Sequence, residues 1–135
     1  CKSLSDINFH DKVEVIPQYA FSYCPNIKKI KIPENVRTVN MSAFIGTSLK
    51  KIILPKKVQV IKNGNHGNKG LGNGYEVKKL RVIEIHSKKV TKIEKNSFGG
   101  LSHKVVIKVP KSKKKKYTKM LRKSGLSKKV KIKSL

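Results

Sequence analysis

Apolar positions along this chain repeat with a long period that contains a short one. Displaced by 23 residues, the pattern falls on itself: Cys1 on Cys24, Leu4 on Ile27, Ile7 on Ile30, Phe9 on Ile32, Val13 on Val36, Ile16 on Val39 and Phe21 on Phe44. A further displacement of 22 carries Ile27, Ile30, Ile32, Pro33, Val36 and Val39 onto Leu49, Ile52, Leu54, Pro55, Val58 and Ile61. Self-similarity of this length is the signature of a repeat architecture. Each unit offers a short alternating strand such as Ile30-Lys31-Ile32, a turn marked by proline, and a second inward segment ending in Ala-Phe. One unit alone has nothing to cover its apolar side chains. Stacked units share a core, with strands about 4.8 Å apart along the axis.

The third copy is interrupted from Lys62 to Gly74, a stretch holding five of the nine glycines and four asparagines. The pattern then resumes through Val77, Leu80 and the strand-like Val82-Ile83-Glu84-Ile85, followed by Val90, Ile93 and Phe98. Phe98 to Pro110 repeats the spacing of Phe21 to Pro33, which turns Ile107 and Val109 inward and gives Leu101 the slot of Cys24. Pro33, Pro55 and Pro110 fall just past strands, where a missing N–H does least harm. The insertion (62–75) lacks the Gly-Lys-Ser/Thr ending of a phosphate loop and reads as a rim loop. His66 within it is too isolated to indicate a metal.

After Pro110 the pattern becomes helical. Ser112 is the expected N-cap of a helix over 112–124, with Tyr117, Met120, Leu121 and Ser124 on one face. Gly125-Leu126 is a helix stop with a hydrophobic contact back onto the helix. Val130 and Ile132 then alternate with lysines as a last strand. The expected fold is a solenoid of about five rungs of 22–23 residues over 1–110, mainly β, closed by a helix–strand cap over 111–135.

The motif Ala20-Phe21, Cys24, Ile27, Ile30, Ile32-Pro33, Val36, Val39 resembles the leucine-rich repeats of the BspA-like class of bacterial surface proteins. The resemblance covers residues 1–110, and departs at the Gly-rich insertion, at His10 and at His86-Ser87, where proline is expected. It implies an extracellular or cell-surface module for binding and adhesion to a protein or glycan of host or bacterial surfaces. Because Cys1 aligns with Cys24, the chain starts inside a repeat and reads as the C-terminal piece of a longer one, frayed near residues 1–12. Any secretion signal is then expected outside these residues. Cys1 and Cys24 fall one rung apart, within disulfide range; two buried thiols are the favoured alternative.

Charge sharpens the picture. Lys and Arg number 33 against seven acids, a formal net charge of +26, and only Arg37, Arg81 and Arg122 are arginines. Beyond Glu94 there are 15 basic residues and no acidic one. Lys28-Lys29, Lys50-Lys51 and Lys78-Lys79 read as the same two slots of successive rungs, forming ladders that collect anionic polymers such as teichoic acids or sulfated glycans. The plainer reading is a solvated basic surface. Specific nucleic-acid recognition is not expected, because it favours arginine forks and aromatic platforms. No apolar run approaches the ~20 residues of a membrane-spanning helix.

Catalysis finds no constellation. The acids are dispersed, the four histidines have no partner at motif spacing, and no Cys or His pair has zinc-ligand spacing. No enzymatic activity, cofactor or metal is expected.

Overall fold

The computed structural model describes residues 12–64, 70–71 and 77–135. The expectations for Cys1, Leu4, Ile7, Phe9, His66 and the frayed start lie outside that range. The described chain is mainly strands, with one short helix near its end. Strands β1 (Val15–Ile16), β2 (Thr38–Asn40), β4 (Val60–Lys62) and β6 (Lys92–Ile93) form one sheet, in that order. Strands β3 (Lys51–Leu54), β5 (Val82–Ile85), β7 (Val106–Val109) and β8 (Lys131–Ser134) form the other. All pairings are parallel, and Val15 pairs with Thr38, Thr38 with Val60. Those offsets reproduce the displacements of 23 and 22 that the sequence shows, as a repeat fold requires.

The core lies between the two sheets. Ile52, Leu54, Ile83, Ile85, Ile107 and Val109 point into it from one sheet, Ile16, Val39 and Ile61 from the other. Phe21, Phe44 and Phe98 are 7, 0 and 1 % exposed, as the repeat demands. The Phe21 and Phe44 rings are tilted against each other at 6.2 Å. Prolines mark the turns: Val36 N–H donates to Pro33 O, Val58 N–H to Pro55 O and Lys113 N–H to Pro110 O. Gly46 has a φ of +77°, and a Cβ there would come within 2.8 Å of the Tyr23 backbone, so successive repeats touch main chain to main chain.

Four expectations are corrected. Residues 30–32 form no strand, although Ile32 is buried: the backbone bond that ties this stretch to the next repeat, Ser48 N–H to Ile27 O, lies ahead of them. The insertion is not simply a rim loop. Asn63, Gly70 and Leu71 are buried, and Gly70-Leu71 takes the place that Ala43-Phe44 takes one repeat earlier, so a small and a large apolar residue still fill the core. Ser112 is no N-cap: a 3-10 turn over Lys111–Lys113 starts from Pro110, α1 spans Lys114–Lys123, and no side chain caps either. Cys24 is buried in a disulfide rather than as a thiol.

The closing segment otherwise follows its sequence. Gly125 N–H donates to Arg122 O and Leu126 N–H to Leu121 O, both at 3.1 Å, with Gly125 at φ +106° and Leu126 buried. That double bond pattern around a left-handed glycine ends a helix by satisfying its last carbonyls. Tyr117 and Leu121 are wholly buried under the repeats. The Tyr117 hydroxyl donates to Ser87 O at 2.8 Å and accepts from Val90 N–H at 3.1 Å. Burial pushes its phenol above the ordinary value, and the Val90 bond pulls the other way. Ser87 stands where proline was expected because its hydroxyl bonds Val58 O and its carbonyl receives the helix's tyrosine.

Candidate binding surface

Alternation along β3, β5, β7 and β8 turns every second side chain away from the core. Register then sets the outward side chains in rows: Lys51, Val82, Val106, Lys131, and beside them Ile53, Glu84, Lys108, Lys133. The first row is cationic at both ends and apolar between, whereas the second runs from Ile53 through Glu84 to two lysines. The Glu84 carboxylate accepts from His86 Nε2 at 2.8 Å and from Lys51 Nζ at 3.2 Å. The His86 bond above all holds Glu84 below its ordinary value; burial opposes this, and Lys51 adds to the lowering. The histidines therefore do include one with a carboxylate partner, contrary to the reading by motif spacing. The signal was present: Glu84 lies on β5 and His86 just past its end, two residues on, where continued alternation sets both on one face.

Three depressions follow one another across this surface. The first, of about 330 Å³, has Lys28, Lys29 and Ile30 on one wall and Lys50, Lys51 and Ile53 on the other. The second, of about 350 Å³, shares Ile30 and Ile53 and continues past Ile32, Glu34 and Pro55 to Lys56 and His86. The third, of about 790 Å³, shares Lys56 and His86 and reaches Lys88, Pro110, Lys111 and Ser112.

Of the six candidate lysines, the structure brings together Lys28, Lys29, Lys50 and Lys51, all exposed. Lys78 and Lys79 are exposed but do not share their slots. Lys51 pairs with Val82, so the next repeat places Arg81 and Val82 there. The cause is a turn. Leu80 N–H bonds Val77 O as Ile27 N–H bonds Cys24 O, which puts Lys78 and Lys79 where Pro25 and Asn26 stand. The apolar members of the surface, Ile30 and Ile53, were not singled out by the sequence, because both fit the inward pattern or its neighbour. Among the described residues, no three His, Cys, Asp or Glu side chains are grouped to hold a metal, and no helix is long and apolar enough to cross a membrane.

No curated protein and no solved structure matches this chain. The family described as the BspA type leucine-rich repeat region matches it in six copies, over residues 1–71 and 73–135, closing segment included. Leucine-rich repeats serve in general as protein-interaction modules, and those of this type are generally associated with cell surfaces. With parallel repeats of the expected offsets and a match over nearly every residue, the chain belongs to the BspA-type leucine-rich repeat family.

Proposed function

We propose that the chain is a non-enzymatic binding and adhesion module of a secreted or cell-surface bacterial protein, taking a surface protein or glycan as its partner. The two parallel sheets are then two sides of a solenoid of about five rungs, whose stacked outer side chains make an extended recognition surface. The observation that carries this reading is the open, mixed surface beside β3, where exposed lysines flank Ile30 and Ile53. Open surfaces of that kind suit recognition of a partner, whereas chemistry favours enclosed sites that shift pKa values. An array of matrix proteins, glycans and wall polymers, probed at physiological salt and again at ~0.5 M, tests it. Binding to a protein or glycan that survives the higher salt is expected; binding to nothing on the array would contradict the reading.

A second reading is anionic-polymer capture, favoured by the convergence of Lys28, Lys29, Lys50 and Lys51 on one depression. Replacing these four with Gln should then weaken heparin or teichoic acid binding and flatten its salt dependence, because fewer counterions are released. Replacing Lys78 and Lys79 alone should do much less. Deleting 63–73 is no clean comparison, since Asn63 and Leu71 are buried.

A further inference from the structure

The sheet of β3, β5, β7 and β8 stops at β3, which pairs on one side only. On its other side runs the segment 28–33, which has a strand's apolar pattern and no ladder. One backbone bond ties the two repeats here, from Ser48 N–H to Ile27 O at 2.9 Å, ahead of the segment itself. Among the described residues, neither the backbone of 28–32 nor the outer edge of β3 makes a further backbone bond across the gap. Side chains of both segments line the first two depressions, Lys28, Lys29 and Ile30 with Lys50, Lys51 and Ile53 in one, and Ile30, Lys31 and Ile32 with Ile53 in the other.

An unpaired strand edge is a template for another chain. The walls decide which chain. Lys28, Lys29 and Lys31 stand on one side and Lys50 and Lys51 on the other, while Ile53 stays 38 % exposed between them. These charges oppose pairing with a second copy of the same protein, which carries the same net +26. They admit an acidic strand. A polyanion without apolar groups would neutralise the lysines but leave Ile53, and the outer part of Ile30 that is half-buried against the core, uncovered and the backbone unpaired. Lys51 is already held by Glu84, so Lys28, Lys29 and Lys50 are the cations that meet the incoming chain.

We propose that an extended acidic segment of a partner protein docks along the outer edge of β3, its backbone pairing with that edge. Side chains alternate along it, one set meeting Ile30 and Ile53 and the other placing carboxylates against Lys28, Lys29 and Lys50. Main-chain bonds supply affinity and the lysines supply selectivity for acid. The proposal rests on the chain being a binding module and names the chemistry of its partner.

The test uses the whole chain and a fluorescent peptide of alternating Glu and Val, about ten residues long, at the upper end of ordinary strand lengths. Fluorescence anisotropy should show saturable binding. Methylating alternate peptide nitrogens should weaken it at least ~10-fold, because strand pairing needs those N–H groups. A Lys-Val peptide should not bind, and the double variant Lys28→Glu, Lys50→Glu should reverse that preference. Amides of 51–54 should exchange more slowly in the complex. Equal binding of the methylated peptide would overturn the proposal, as would failure of the Glu-Val peptide to bind at all. If heparin binds where the peptide does not, the edge proposal fails while the binding-module reading stands.

Discussion

The two ends of the second sheet contrast. Around β7 and β8 the ladder is complete: Val106, Ile107, Lys108 and Val109 pair with Lys131, Ile132, Lys133 and Ser134, and α1 covers the core beside them. At 28–32 the same alternation yields no strand. Hydrophobic patterning is equal in the two places, so it does not decide the outcome. Charge does. Where β3 meets β5, Glu84 stands among the lysines and bonds Lys51. Where 28–32 faces β3, lysine faces lysine on both walls of the gap. Like charges directly opposite destabilise a strand pair, and two unit charges 5 Å apart in water repel by roughly 0.8 kcal/mol before screening. A pleated apolar pattern therefore brings the segment to the core, through Ile27 and Ile32, without zipping its backbone.

The contrast can be broken most forcefully at the closed end. Leu121→Ala removes a wholly buried side chain from the helix and should cost about 2–5 kcal/mol, read as a lower midpoint in urea. A loss under about 1 kcal/mol would mean that α1 contributes little to closing the core. Tyr117→Phe keeps the ring and orphans Val90 N–H and Ser87 O, so it should cost about 1–3 kcal/mol in the same assay.

Much of the closed end was legible beforehand. Gly125-Leu126 and the Tyr117/Leu121 face specify a helix stop and an anchor through local chemistry. The N-terminus was misplaced because Ser112 is a good cap in isolation, while Pro110 fixes a turn one step earlier. The insertion was misread for a related reason: glycine-rich composition hid the fact that Gly70-Leu71 still satisfies the core. The lysine ladder was half legible. Lys28, Lys29, Lys50 and Lys51, 22 apart in pairs, line one depression, but across the insertion only the Val77–Leu80 turn fixes the register, and spacing alone does not reveal it. The Glu84–His86 pair needed only the alternation of β5 continued one residue past its end and applied to polar residues as well as apolar ones.

Smaller effects sharpen the role of charge. Glu84 is held below its ordinary 4.5, so the folded state favours its ionised form. That stabilisation is complete above the ordinary value and is lost as pH falls through the lowered one. Glu84→Gln should therefore cost about 0.2–1 kcal/mol at pH 7, discounted because Lys51 is half exposed, and the gap from wild type should close in acid. A gap independent of pH would assign the effect to packing. In the opposite direction, placing Glu at Lys29 puts an acid between the two lysine walls and should leave stability unchanged or raise it by up to about 0.5 kcal/mol.

Residue-resolved amide exchange of the free protein tests the interrupted ladder most directly. Amides of 82–85 and 106–109, bonded within the sheet, should open only with global unfolding, while those of 28–32 should exchange nearly as fast as an unstructured chain. Protection of 28–32 equal to that of 82–85 would show a continuous ladder and no open edge beside β3.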